Sequence, residues 1–135
     1  MKSGLLALSV VVLVSLSALA GAEGDAAHHD RKKGNTVHFG LLLRLEAKPG
    51  READLAAFLE SGASVVMAEA QTKVWYALKI GPSTYGIFDA FTDEAGEQAH
   101  LNGRLAAQLG AKAAELLASP PTIEKVEVLA SKMPH

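Results

Sequence analysis

The 135-residue sequence contains no cysteine. Disulfide bonds, thiol catalysis and cysteine-ligated metal sites are therefore excluded. A lipid anchor attached to a cysteine is excluded for the same reason. Packing or oligomerisation must supply all of the stability of the fold.

The sequence also has no large excess of charge of either sign. It contains 13 basic and 15 acidic residues, and its formal net charge is −2. The sequence has no polybasic patch, so nucleic acid and anionic membranes are poor partner predictions. It also lacks a phosphate-binding loop, a nucleotide fingerprint, a serine-centred elbow and a zinc motif. The segment Gly81-Pro82-Ser83 is a predicted hairpin turn with no helix after it, so it cannot cradle a phosphate.

One long apolar run occurs, from Leu5 to Ala20, and three serines interrupt it. Small residues close it, and they predict cleavage of a secretory signal peptide after Ala20 or Ala22. A spanning helix needs about 20 apolar residues, so an uncleaved anchor is the less favoured alternative. We expect residues 1–22 to be removed, leaving no stable membrane anchor and an exported protein, periplasmic or extracellular.

Residues 23–35 are polar and small and show no hydrophobic period, which predicts a flexible linker. His28, His29 and Asp30 lie within it. Adjacent histidines on a linker lack the spacing that aims two imidazoles at one ion, so we predict no metal site. A single domain is expected over residues 36–133.

Alternation, helical periodicity and turn residues divide this domain into six regions. The predicted strands are Val37–Ala47, Thr72–Ile80, Thr84–Phe91 and Thr122–Ala130. The predicted helices are Arg51–Glu69 and a region that Thr92 or Asp93 caps, from Glu94 to Ala118 with a break near Asn102-Gly103. This β-α-β-β-α-β order is typical of an α+β, ferredoxin-like fold with a four-stranded antiparallel sheet. Helices on one face would leave the other face apolar and open to a partner or a ligand.

Five blocks of this domain resemble the antibiotic biosynthesis monooxygenase domain family, within the dimeric α/β-barrel superfamily. The likeness extends from Val37 to Met133. The blocks are Leu42–Glu52, Trp75–Leu78, Gly81–Phe91, Asp93–Leu101 (without Glu97) and Ile123–Val126.

The resemblance implies that two copies pair their sheets into a dimeric α/β barrel. Some members of the family oxidise phenols, quinols or anthrone-type polyketides with O₂ as co-substrate and with no metal or flavin. The expected function is therefore a cofactor-independent monooxygenase acting on a small aromatic or quinol-like substrate. A non-catalytic dimer that binds a hydrophobic small molecule or haem is the alternative, because the fold alone does not give the reaction.

His100 is the first catalytic candidate, at a place where the resembling family often has a histidine. Its imidazole titrates near neutrality, so it could remove a phenolic proton and create an anion that reduces O₂. A solvent-facing histidine, or one bonded to a backbone carbonyl, is the structural alternative.

Two further catalytic candidates lie on predicted strands. Trp75, the single tryptophan, could stack on an aromatic substrate, or could anchor the core or a dimer interface. Arg44 could clamp a phenolate or carboxylate, or could form a salt bridge with Glu46 or a partner subunit.

Five residues are candidates for substrate binding, each with a structural alternative. Asn102 could orient O₂ or a carbonyl group, although a residue before Gly103 is more simply a helix C-cap. The others could line a cavity, but strand aromatics are usually core and a histidine at a strand start is often exposed. These are His38, Tyr85, Phe88 and Phe91. Asp89 could pair with Arg44 or Lys79, which we favour, or could orient His100.

Overall fold

The computed structural model describes residues 36–134. The predicted signal peptide and linker, including His28, His29 and Asp30, lie outside this range. Within it, no helix has the length and apolar character needed to cross a membrane.

Four strands form one antiparallel sheet in the order β2-β3-β1-β4. The strands are β1 Phe39–Glu46, β2 Thr72–Lys79, β3 Thr84–Phe91 and β4 Thr122–Glu127, and the helices are α1 Glu52–Val66, α2 Glu94–Leu101 and α3 Arg104–Leu116. This topology is the predicted ferredoxin-like α+β fold, with the second helical region split as expected.

Local sequence explains where most of these elements begin and end. Gly50 has a φ of 82°, which a residue with a side chain rarely adopts, so Pro49-Gly50 can turn the chain from β1 into α1. Asp93 caps α2, because its Oδ1 accepts the backbone N–H of Gly96 at 2.8 Å. Gly103 begins α3 directly after Asn102 ends α2.

Several boundaries differ from the prediction by one or two residues, and two differ by three. α1 ends at Val66 rather than at Glu69, because the N–H groups of Ala68 and Glu69 bond to carbonyls three residues back and tighten the chain into a turn. β4 ends at Glu127 rather than at Ala130, since its register on β1 ends opposite Phe39.

The core lies between the helices and one face of the sheet. Leu41, Leu45, Leu55 and Phe91 are completely buried there. Large apolar side chains of β2 and of the residue after it remain exposed on the other sheet face, and we call this surface the open sheet face. Its main exposed members are Tyr76, Leu78 and Ile80.

Candidate functional site

His100 lies on the last turn of α2, the helix that Asp93 caps. The helix packs on β1 and β3, and this packing leaves the imidazole only 7% exposed. The side chain therefore enters the helix side of the sheet instead of facing solvent. The solvent-facing alternative for His100 is wrong.

The Nδ1 atom of His100 lies 2.5 Å from Oε2 of Glu69. Thr72 donates its hydroxyl to the same carboxylate oxygen at 2.8 Å and lies 3.4 Å from Nδ1. A carboxylate oxygen can accept a hydrogen bond from Nδ1 when that nitrogen carries the ring proton. The contact therefore favours the tautomer with Nδ1 protonated.

The other ring nitrogen, Nε2, lies 3.0 Å from Oδ2 of Asp89. Asp89 is completely buried in the centre of β3. The contact lacks the alignment of a hydrogen bond, and both carboxylate oxygens of Asp89 have no other partner. His100 is therefore an imidazole held between two carboxylates, one of which is wholly shielded from solvent.

Burial raises the pKa of Asp89, and the nearby charges of Glu69 and Glu97 raise it further, against the lowering effect of His100. Burial opposes the charged form of His100, but contacts with Asp89 and Glu69 outweigh it and raise the pKa of the imidazole. Both shifts favour retention of a proton between Asp89 and His100. Such a group can accept and return a proton.

Asp89 and His100 form part of the wall of an inner cavity of 250 Å³ between the sheet and the helices. Among the described residues, they are its only ionisable lining residues; the others include Leu41, Leu43, Ile87, Leu105 and Leu109. The side chains that line the cavity are therefore mostly apolar apart from this pair.

A second space, which we call the outer cleft, lies on the opposite side of His100 and has a volume of 410 Å³. Glu69 and Thr72 line it together with small residues such as Ala68, Ala99 and Gly103. His100 is the one residue that lines both spaces. The imidazole thus separates the inner cavity from the cleft.

A second buried carboxylate, besides Asp89, adds to the negative charge near this site. Glu97 is 2% exposed, and its Oε1 lies 2.7 Å from the Nζ atom of Lys125. Among the described residues, no group of three or more histidine, aspartate and glutamate side chains is arranged to hold a metal ion.

The structure does not bring Trp75 and Arg44 together with His100. Trp75 is half-buried beneath α1, where its ring would lie 3.2 Å from a Cβ atom added to Gly62. Arg44 is exposed and alternates with the buried residues of β1, so it lies on the open sheet face. Neither residue lines the inner cavity.

Phe91 is the substrate-binding candidate that contacts this site, with its ring centroid 5.5 Å from that of His100. Tyr85 is buried and donates its hydroxyl to the backbone oxygen of Glu52 at 3.1 Å. Both belong to the core on the helix side.

The remaining candidates lie elsewhere. Phe88 is half-buried on the open sheet face, and His38 is exposed just before β1. Asn102 is the C-cap of α2, and its amide donates to the backbone oxygen of Gln98 at 2.9 Å. This contact is the structural alternative that the sequence suggested for Asn102.

Two carboxylates of the site were misassigned or missed by the sequence analysis. The favoured pairing of Asp89 with Arg44 or Lys79 is wrong, because Asp89 contacts His100. The alternation of β3 contained the relevant signal, since Asp89 shares its face with Ile87 and Phe91, which are core residues. Glu69 was read only as the end of a helix, and nothing in its local sequence indicates its contact with a residue 31 positions away.

The chain is a ferredoxin-like α+β protein with a buried histidine held between two carboxylates. No family model matches the chain, and no curated protein matches it. Among solved structures, the NE2512 protein of unknown function from Nitrosomonas europaea is 60% identical, with a TM-score of 0.73 over 75% of this chain and 98% of that one. The chain therefore belongs to the same protein family as NE2512.

More distant structures extend the similarity of fold. A proposed antibiotic biosynthesis monooxygenase from Caulobacter crescentus CB15 is 17% identical, with a TM-score of 0.62 over 76% of this chain and 99% of that one. Another from Chloroflexus aurantiacus J-10-fl is 18% identical, with a TM-score of 0.58 over 71% and 97%. Likeness at this identity establishes a shared fold, and any activity has to be argued from the site.

Proposed function

We propose that this protein is a cofactor-independent monooxygenase that oxidises a small aromatic or quinol-like substrate with O₂. The observation that carries the proposal is the position of His100. Its imidazole is buried in the wall of an apolar cavity, and it contacts Asp89 on one side and Glu69 on the other. The fold shared with proposed antibiotic biosynthesis monooxygenases is consistent with this chemistry.

The proposed reaction begins when His100 takes a proton from an acidic O–H or C–H group of the substrate. The resulting anion passes an electron to O₂, and recombination forms a carbon–oxygen bond and a peroxide. The O–O bond then breaks as the oxygenated carbon atom loses its remaining hydrogen. One oxygen atom stays on the substrate as a carbonyl, and the other leaves as water, which contains the proton that His100 returns and the hydrogen from that carbon.

The surroundings of His100 suit the first step of this reaction. The imidazolium that forms is stabilised between Asp89 and Glu69, which is why the pKa of His100 is raised. The cavity volume of 250 Å³ lies below the range of about 300–1,000 Å³ typical of drug-sized ligands, so it suits a compact substrate. The proposal assigns catalysis to His100 and leaves Trp75 and Arg44 outside the cavity.

The proposal also includes export and a homodimeric state. Export is supported by the apolar run and the small residues near the N-terminus. The exposed apolar residues of the open sheet face support pairing of two copies. Neither property is needed for the acid–base chemistry, so each is tested separately.

The test is oxygen consumption by purified, chelator-treated protein with a panel of phenols, quinols and anthrones. His100→Ala should lower the rate about 10²- to 10⁴-fold, the usual contribution of a positioned base. Gln98→Ala, an exposed change on the same helix, should retain the wild-type rate. An unchanged rate in His100→Ala would contradict the assigned base. Ligand binding without oxygen uptake would favour the non-catalytic binding protein.

The haem-binding alternative requires a histidine nitrogen that is free to ligate iron. Both ring nitrogens of His100 contact carboxylates, so neither could ligate iron without losing a partner. An axial ligand from His38 would lie on the exposed start of β1. Addition of haemin to the protein would show a sharp Soret band if this alternative held.

A further inference from the structure

We propose that Glu69 is the positioning residue of this site, because it holds His100 with Nδ1 protonated and Nε2 directed at Asp89 and the inner cavity. The inference rests on the proposed role of His100 as the base. It adds a residue, and a defined tautomer, that the reaction requires.

The contacts of the Glu69 carboxylate leave it little freedom. Its Oε2 atom accepts from Thr72 at 2.8 Å and lies 2.5 Å from Nδ1 of His100. Its Oε1 atom is buried without a hydrogen-bond partner. A Cβ atom added to Gly103 would lie 2.9 Å from this Oε1, so the carboxylate is seated against a glycine.

The backbone of Glu69 is fixed on both sides of the residue. Its N–H donates to the oxygen of Val66 at 2.8 Å, and its own oxygen accepts from the N–H of Thr72 at 3.2 Å. These bonds form the tight turn that ends α1 early and brings β2 alongside. The early end of α1 is therefore what aims Glu69 at α2.

The two cavities separate the role of Glu69 from that of His100. Glu69 lines the outer cleft but not the inner cavity. Asp89 lines the inner cavity but not the outer cleft. A substrate in the inner cavity would contact Asp89 and His100 but not Glu69. Glu69 therefore acts through the imidazole, as a carboxylate that orients a catalytic histidine does.

Removal of the Glu69 carboxylate changes which hydrogen bonds the ring can make. Thr72 could then donate its hydroxyl to Nδ1, 3.4 Å away. The proton of the neutral ring would move to Nε2, the nitrogen that faces Asp89. A protonated Nε2 cannot accept a proton from the substrate, so the base would be lost although the ring remained in place.

The charged groups around the imidazole come from four elements. Glu69 follows α1, Asp89 lies on β3, Glu97 lies on α2 and Lys125 lies on β4. Glu69 and Asp89 act directly on His100, whereas Glu97 acts on Asp89 and is paired with Lys125. Substitution of Glu69 therefore removes one of two direct carboxylates and leaves the rest unchanged.

The experiment is ¹⁵N–¹H NMR of the histidine rings of the whole protein, titrated with pH. Glu69→Leu should lower the pKa of His100 and switch its neutral ring from the Nδ1–H to the Nε2–H form. Glu69→Gln should lower the pKa but retain the Nδ1–H form, because the amide oxygen still accepts. Glu60→Leu, an exposed change on α1, should alter neither property.

A merely structural role for Glu69 would destabilise the protein without this pattern of tautomers. If Glu69→Leu does not fold, Glu69→Gln alone tests the contact, because it keeps the size of the side chain and removes its charge. An unchanged pKa and tautomer of His100 in the folded variants would overturn the proposal. Oxygen uptake is measured in parallel. If the wild-type protein consumes oxygen, Glu69→Leu should lower the rate about 10- to 100-fold.

The two proposals fail in different ways. If the NMR pattern appears but wild-type protein consumes no oxygen, Glu69 positions His100 and the proposed oxygenase is wrong. If wild-type protein consumes oxygen and the ring is unaffected by Glu69→Leu, the positioning role alone is wrong.

Discussion

Asp89 is an unusual residue to find in the centre of a sheet. A buried carboxylate loses its hydration, and a contact with a single imidazole only partly replaces it. A leucine at this position would pack against Leu41 and Ile87 without that cost. The arrangement is therefore better explained by proton handling at the inner cavity than by stability.

The raised pKa of His100 predicts how stability depends on pH. The folded protein holds this proton more tightly than the unfolded chain, whose histidine has its ordinary value of 6.5. The stabilisation is therefore complete below pH 6.5 and is lost as the pH rises through the folded value. In that window the free energy of unfolding should fall by up to about 1.4 kcal/mol per pH unit.

Urea unfolding of wild type and His100→Gln at several pH values checks this prediction. The variant should show a smaller decline above pH 6.5, because glutamine does not titrate and only Asp89 of the pair can still release a proton. Equal slopes for the two proteins in that range would show that His100 holds no extra proton when folded.

The residues of the site were only partly predictable from sequence. His100 could be selected because imidazole chemistry and a family resemblance agreed on it. The burial of Asp89 could have been predicted from the alternation of side chains along β3, which places Asp89 on the same face as the core residues. Glu69 could not be found, because its contact depends on how tightly the turn after α1 closes, and local sequence does not specify that.

At the level of elements, α2 depends on one side chain for its start. Asp93 accepts the N–H of Gly96, which is buried and would otherwise lack a partner. Asp93→Ala should therefore lower the free energy of unfolding by about 1 kcal/mol. Denaturant unfolding measures this change.

Asp93→Asn separates the cap from the charge, since its side-chain oxygen can still accept. It should lose much less stability than Asp93→Ala. If both variants lose the same amount, the negative charge near the helix start is responsible, and the hydrogen bond is not.

Elements were more predictable than contacts. The alternation in β1, the turn residues around β2 and β3 and the break at Asn102-Gly103 each correspond to an observed boundary. The largest errors occurred at the ends of α1 and β4. Both ends depend on tertiary partners, namely the turn that leads into β2 and the limited length of β1.

At the scale of the whole molecule, the open sheet face is the feature that a single copy leaves unexplained. Tyr76 is 59% exposed, Ile80 is 47% exposed and Leu78 is 39% exposed, and all three are large apolar residues. Isolated apolar residues are common on surfaces, but a contiguous patch usually marks an interaction site. A second copy of this chain presents the same patch and can cover it by two-fold symmetry.

We predict that the protein is a homodimer held by this face, with a dimer mass in sedimentation at micromolar concentration. Tyr76→Lys combined with Leu78→Lys should shift it to monomer, because two pairs of like charges would face each other across the interface. Ala57→Lys is the control, since Ala57 is exposed on α1, on the helix side of the sheet, and it should remain dimeric. A wild-type protein that sediments only as monomer would contradict pairing through the open sheet face.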